Sequence, residues 1–386
     1  MGAPWLCNCS SRNWELSAVC GYAAGRIASS VREWRLARLT VRSCRSALRP
    51  RDIELLRVEG THREVGVQIG RATASVVRGH AAAVDSVRLA QAAAYRDATA
   101  AALPWLVDEL DGVAEGAEAD PLGVFAASVE ELWADVAVPA DRCSDLVACD
   151  PATPDGHVWV AHNNDLDPER EDELVALEWR LPGDPVSFTI GVGPWISVGF
   201  NSAGLALTGN ELSPNDDRIG IPRLLLVRDI LRQRTLSGAV AAALHPRRAS
   251  SYNNLLSHRD GGVTSVEGSA TDAELLAPDA GGTLAHTNHY TSARMSCYER
   301  DPGGTAGSET RYRSACEWLS QRPITPSLLR QALSDHAGAP DSLCRHVEHG
   351  ASSKTVFWCV ADVTEGTISY GRGNPCDSHE QRYAFV

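Results

Sequence analysis

Six short apolar runs crowd into residues 146–208, and no other feature narrows the possible folds as much. They are Leu146–Cys149, His157–His162, Leu174–Leu181, Val186–Val192, Trp195–Asn201 and Leu205–Thr208. The turn-forming segments between them include Pro151-Ala-Thr-Pro-Asp-Gly156, Pro182-Gly-Asp-Pro185 and Ser202-Ala-Gly204. Short strands at this spacing predict an antiparallel meander. Their near-continuous apolar character predicts a sheet covered on at least one face.

The flanking sequence reads differently. Residues 52–58 predict a short strand, and residues 62–133 are largely helical, broken at Pro104 and around Pro121. Leu106, Val107, Leu110 and Val113 fall on one helical face. Gly66 and Gly70, four apart, share a face and let another backbone approach closely. Pro139 ends the helical region. Downstream, the pattern predicts a long helix over 222–244, bounded by Pro222 and Pro246, and strands at 263–267 and 283–286. Gly303–Gly307 reads as a loop, and 309–320 and 326–336 as helices. Lys354–Val363 and Thr367–Gly371 form a closing hairpin around Glu365-Gly366. Helices, strands, helices and a last hairpin make an α+β chain built on antiparallel sheets.

Composition excludes whole classes of function. Of the 36 basic residues only Lys354 is lysine, and the net charge is −13. Residues 1–51 hold nine arginines against Glu15 and Glu33, a net of +7, which leaves −20 for the rest. So acidic a body argues against nucleic acid as a partner. No run of 18 apolar residues occurs, which argues against a membrane-spanning helix. Eleven scattered cysteines, an odd number without a framework, read as reduced thiols of a cytoplasmic protein. Cys7 and Cys9 lack a second pair at zinc spacing, so no metal or other cofactor is expected. The segment 1–51 reads as a basic extension that is dispensable or an over-extended start. A targeting role is the alternative, because the segment is Arg-rich and poor in acidic residues.

No G-x-S-x-G, G-x-x-x-x-G-K-[ST] or H-E-x-x-H signature is present, and no G-x-G-x-x-G joins a strand to a helix. Asn201-Ser-Ala-Gly204 reads as a turn between strands. Cys143 is placed differently from a cysteine buried in a helix, at the junction of a helical segment and a strand. Cys143-Ser-Asp-Leu-Val-Ala is followed by Asp155-Gly156 and by His162-Asn163-Asn164-Asp165. Gly199-Phe-Asn201-Ser-Ala-Gly204, Ser265-Val-Glu267 and Leu284-Ala-His286-Thr-Asn288-His289 come next. Ser308-x-x-Arg311, Leu343-Cys-Arg-His346 and Gly371-x-x-x-Pro375-Cys376 complete the series.

In this order and spacing the chain resembles the acyl-coenzyme A:6-aminopenicillanate acyltransferase family, autoproteolytic cysteine members of the N-terminal-nucleophile hydrolases. The resemblance runs from about residue 52 to the C-terminus. It implies a four-layer αββα sandwich with antiparallel sheets. It also implies a precursor cut between Arg142 and Cys143, giving chains 52–142 and 143–386 that stay associated. Cys143 would be the nucleophile, with its own freed α-amino group as base, since the two groups titrate near 8.5 and near 8. Asp165 matches the family acid beside the new N-terminus, and Asn288 the oxyanion-hole amide. Arg311 matches a late arginine that steadies the nucleophile's surroundings or an anionic substrate. The substrate implied is a small N-acyl compound or acyl donor.

Simpler readings stand beside these. Asn163-Asn164-Asp165 also reads as a polar turn, Arg311 as a solvated helix residue, and His286 and His289 as structural histidines. Two further functional readings remain open: an uncleaved cysteine–histidine hydrolase using His162 or His286, and an inactive member that only binds. The sequence departs from the family pattern in having Arg142 where glycine is common, followed after the nucleophile by Ser144-Asp145. The lysine used by some members has no counterpart, which leaves a β-lactam substrate without that support.

Overall fold

The computed structural model describes residues 52–134 and 142–385, Arg142 by its backbone alone. The extension 1–51, with Cys7 and Cys9, and the break expected at Pro139 lie outside the described residues. The first strand, β1 (Glu54–Glu59), leads into helices α1 (His62–Ala72), α2 (Ala74–Ala83), α3 (Ser86–Ala102), α4 (Pro104–Ala117) and α5 (Pro121–Ala127). Six strands follow: β2 (Arg142–Ala148), β3 (Trp159–Leu166), β4 (Leu174–Arg180), β5 (Ser187–Val192), β6 (Trp195–Asn201) and β7 (Leu205–Asn210). Helices α6 (Arg223–Leu231) and α7 (Leu236–Ala243) precede β8 (Asn253–His258), β9 (Val263–Gly268), β10 (Ala273–Leu276) and β11 (Thr283–His286). The chain ends with α8 (Ala306–Leu319), α9 (Pro326–Leu333), β12 (Lys354–Asp362), β13 (Thr367–Arg372) and β14 (Gln381–Ala384).

The strands make two sheets, ordered β1-β4-β5-β6-β7-β8-β9-β10 and β11-β2-β3-β12-β13-β14. Their facing surfaces share one core, in which Val147, Val160 and Phe357 of the smaller sheet meet Phe188, Ile190 and Val198 of the larger. On the outer face of the larger sheet, Val65 and Ile69 of α1, Val113 of α4 and Ile230 of α6 pack against Val175, Leu177 and Leu207. On the outer face of the smaller one, Leu319, Leu329 and Leu333 of α8 and α9 cover Leu146, Trp358 and Val360. Helix, sheet, sheet, helix is the αββα arrangement. Strands that bury both faces explain the near-continuous apolar runs.

Four expectations need correction. The six runs are not one meander: β2 and β3 belong to the smaller sheet, and only β4 to β7 continue antiparallel in the larger. The polar segment Pro168–Glu173, a short 3-10 turn, carries the chain from one sheet to the other. The larger sheet is not wholly antiparallel, because β1 runs parallel to β4. The helix over 222–244 is two helices, since the Thr235 hydroxyl accepts from the Gly238 N–H at 3.1 Å and caps a fresh start at α7. Strands β8, β10 and β14 were not anticipated. Polar Asn253 and Asn254 open β8, while β10 and β14 are short edge strands.

The Gly66/Gly70 device holds, and it is reciprocal. A Cβ at either glycine would lie 2.1 Å from the carbonyl oxygen of Glu109 or Val113 on α4. A Cβ at Gly112 or Gly116 would lie 2.3 or 2.2 Å from those of Arg63 or Val67 on α1. The two helices therefore touch backbone to backbone along four glycines.

Candidate active site

Cys143 occupies the second position of β2, where it pairs across the ladder with Asn164 of β3, while Arg142 pairs with Asp165. Side chains alternate along a strand. Val147 and Val160 point into the core between the sheets, so Cys143 and Asn164 share that face. Asp165 shares the other face with Asn163, whose amide donates to the carbonyls of Leu333 and Leu343 at 2.9 and 2.8 Å. The thiol and the carboxylate thus flank the Arg142–Cys143 peptide from opposite sides of one sheet.

The Cys143 backbone is held by Asn288. Its N–H donates to Asn288 Oδ1 at 2.9 Å, and Arg311 Nη2 donates to the same oxygen at 2.6 Å. Two donors on one oxygen fix which end of the amide faces Cys143. Asn288 Nδ2 directs one of its two N–H groups to the Glu211 carbonyl at 3.1 Å. The Asn288 backbone N–H donates to Ser308 Oγ at 2.7 Å, and His289 Nδ1 lies 2.7 Å from the same hydroxyl. Arg311 is fully buried, so it is not a solvated helix residue. It is a post behind Asn288.

The segment Asn163-Asn164-Asp165 is not a turn. All three residues lie within β3 and are buried. Asn164 Nδ2 donates to Cys143 Sγ at 3.3 Å. Asp165 Oδ1 accepts from the Thr355 hydroxyl at 2.6 Å, and Oδ2 stands 3.9 Å from Arg345 Nε. Oδ2 is buried without a hydrogen bond, an acceptor in want of a donor. Burial pushes the Asp165 carboxyl up to about 6, against the pull of the Arg311 and Arg345 guanidiniums and the Thr355 hydroxyl.

Both alternative histidines are engaged with other partners. His162 Nδ1 lies 2.8 Å from Asp145 Oδ1, both side chains wholly buried, and its Nε2 faces Asn164 at 3.5 Å. His286 Nε2 lies 2.8 Å from Glu267 Oε1, and its Nδ1 meets the Thr287 carbonyl and Asn210 Oδ1. The carboxylate partner of His286 comes from β9, 19 residues earlier in the chain. Burial would raise Glu267, yet hydrogen bonds from His286 and Thr291 hold it below the usual carboxylate range.

Two residues escaped the sequence reading. Asn164 was readable by alternation, because it shares a face with the cross-strand Cys143. Asn210 lies just past the run that ended at Thr208. Its Oδ1 accepts from Asn253 Nδ2 at 2.9 Å, and its Nδ2 is buried without a hydrogen-bond partner. The next residue, Glu211, supplies the carbonyl bound by Asn288. An unsatisfied amide N–H therefore sits one residue from the Asn288 anchor.

Among the described residues no helix is long and apolar enough to cross a membrane. No curated protein sequence matches the chain. The chain is similar in structure to an N-acylethanolamine-hydrolyzing acid amidase ortholog of Caenorhabditis elegans, at 17% identity and a TM-score of 0.39 over 57% of this chain and 93% of the other. A variant of conjugated bile acid hydrolase from Clostridium perfringens gives 14% identity and a TM-score of 0.43 over 63% and 97%. Penicillin V acylase from Agrobacterium tumefaciens gives 14% and 0.37 over 60% and 83%. The model of the acyl-coenzyme A:6-aminopenicillanic acid acyl-transferase family matches residues 152–377, a span that includes Asp165, Asn288 and Arg311 and begins after Cys143. With more than half of its length matched, the chain belongs to that family, enzymes of the N-terminal-nucleophile hydrolase class that make or break amide bonds.

Proposed function

We propose that the chain is a self-processing cysteine amidohydrolase or acyltransferase acting through a Cys143 thioester on a small N-acyl compound. The observation that carries the proposal is the anchoring of Cys143, with its backbone N–H on Asn288 and its sulfur on Asn164, next to the buried, half-bonded carboxylate of Asp165. In processing, Sγ attacks the Arg142 carbonyl carbon, the C–N bond breaks, and the acyl group passes to sulfur. Water then hydrolyses the thioester, leaving a carboxylate on Arg142 and a free amine on Cys143. Asp165 Oδ2 is the acceptor for that ammonium, because Asp165 pairs across the ladder with the residue that departs.

In turnover the freed amine takes the thiol proton and passes it to the leaving amine of the substrate. Asn288, through its second N–H, and Asn210, through its unsatisfied Nδ2, are the donors proposed for the oxyanion. Water or a second amine resolves the acyl-enzyme. After the cut, the two chains would remain joined through the core that α1 and α4 share with β4 and β7. The described cysteines are all free thiols, which supports a reducing compartment such as the cytoplasm.

Intact mass and N-terminal sequencing test the reading. The wild type should yield chains of 142 and 244 residues, the second beginning at Cys143, and Cys143→Ala should stay whole and inactive. A panel of an N-acylethanolamine, a conjugated bile acid, penicillin V, and an acyl-coenzyme A with 6-aminopenicillanic acid then separates hydrolysis from transfer. A wild-type chain that stays whole on prolonged incubation defeats self-processing. Cleavage without turnover of any panel member favours a binding role.

A further inference from the structure

We propose that His336, Cys344, His346 and Cys376 form a structural zinc site behind the active site. The four ligand atoms lie within 4.8 Å of one another. His346 Nε2 is 3.1 Å from His336 Nε2, 3.4 Å from Cys344 Sγ and 3.4 Å from Cys376 Sγ, and the two sulfurs are 3.7 Å apart. A regular tetrahedron around zinc, with Zn–S of about 2.3 Å and Zn–N of about 2.05 Å, has S–S, N–S and N–N edges of about 3.8, 3.6 and 3.3 Å. The four observed edges differ from the ideal ones by about 0.2 Å or less, and the two edges from His336 to the sulfurs lie within 4.8 Å. Hydrogen bonding does not account for the cluster, because one imidazole nitrogen offers a single proton or a single lone pair, and here it has three close neighbours.

The donor set selects the metal. Two sulfurs and two imidazole nitrogens in a tetrahedron suit Zn²⁺. Binding converts both thiols to thiolates and releases two protons, so the zinc centre is neutral overall and compatible with the full burial of Cys344. Outer groups are in place. Asn374 Nδ2 stands 3.5 Å from Cys344 Sγ, and Glu348 Oε2 stands 3.8 Å from His346 Nδ1. Arg330, stacked over the Trp358 ring, has its Nη1 buried without a hydrogen-bond partner.

The ligands come from three segments: His336 after α9, Cys344 and His346 ahead of β12, and Cys376 after β13. Forty residues separate the outermost two, which is why no spacing motif shows in the sequence and no metal was expected. Arg345 lies between two of the ligands. Its N–H donates to Thr355 Oγ1 at 3.0 Å, and Thr355 in turn donates to Asp165. The metal would therefore clip the segment that supports Asp165. This inference stands whether or not Cys143 is self-processing.

The test uses the full chain carrying Cys143→Ala, which removes the active-site thiol as a competing ligand, purified without a histidine tag under reductant. After equilibration with zinc chloride and desalting, elemental mass spectrometry should find about one zinc per chain. The further double change Cys344→Ser with Cys376→Ser should lower this about tenfold or more, while Cys297→Ser, at an exposed thiol outside the cluster, should leave it unchanged. If the double variant fails to fold, cobalt(II) in the parent protein decides, tetrahedral thiolate absorption being expected. Absence of bound zinc, zinc retained by a folded double variant, an octahedral cobalt spectrum, or a Cys344–Cys376 disulfide formed under reductant would each overturn the proposal.

Discussion

Thr355→Val is the most informative single change near the site, because it alters the Asp165 carboxyl without touching Cys143. Thr355 Oγ1 donates to Asp165 Oδ1 at 2.6 Å and so favours the ionised form of a group that burial pushes up to about 6. A hydrogen bond to a charged group contributes about 1.5–3 kcal/mol. With about 1.36 kcal/mol per pKa unit, its loss should lift Asp165 by about 1–2 units. In the proposed mechanism only ionised Asp165 holds the Cys143 ammonium, so activity rises with pH through this pKa. In the mature enzyme the adjacent ammonium favours the carboxylate, so the acid limb of kcat/KM, measured with whichever panel substrate is turned over, should fall below the value of the uncleaved chain in the wild type. In the variant it should move up by about 1–2 units.

Stability changes in a linked way. The folded pKa of Asp165 lies above its unfolded value of about 3.9, so the group disfavours the folded state above pH 6 and this penalty fades as pH falls from 6 towards 4. Valine enlarges the penalty and also strips the Arg345 N–H of its acceptor, at a cost of about 1–3 kcal/mol. Denaturant titrations should therefore show a larger loss at about pH 8 than at about pH 5. An acid limb that stays at the wild-type pH while the variant is plainly destabilised would refute Asp165 as the titrating group.

Two other expectations concern the thiol and the helical layer. Asn164→Ala removes the N–H from Cys143 Sγ and should raise the pH at which Cys143 is half-alkylated by iodoacetamide by up to about one unit, read by peptide mass. Gly66→Ala drives a Cβ to within 2.1 Å of the Glu109 carbonyl oxygen and should cost about 2 kcal/mol or more in urea unfolding. Gly79→Ala on α2, where nothing lies within 4 Å, should instead stabilise by about 0.5–1 kcal/mol.

Much was legible in the sequence because it is written in local periodicity. The β4–β7 meander, the helix breaks at Pro104 and Pro121, and the hairpin at Gly366 follow from spacing and turn chemistry that act within a few residues. Cys143 stood out for its place at a junction, and Asp165, Asn288 and Arg311 for their order along the chain. What stayed hidden was every relation between distant segments. No periodicity tells that β2 and β3 leave the meander for a second sheet, because a strand buried on both faces reads the same in either. Nor does it tell that Gly112 and Gly116 answer Gly66 and Gly70, since each pair alone is only a small-residue stripe.

The chemistry divides along the same line. The sequence by itself determined the strand-rich α+β character and the acidic charge balance, and it singled out Cys143 as the proposed nucleophile, since these depend on residue type and near neighbours. The tertiary structure decided what each group is for. Arg311 was one arginine among 35 until folding buried it on the oxygen that holds Cys143. Asp165 became a carboxyl near 6, and Asn210 a donor without an acceptor, only once packing had removed water around them. Burial and through-space contact set those properties, and both belong to the assembled layers, not to any stretch of chain.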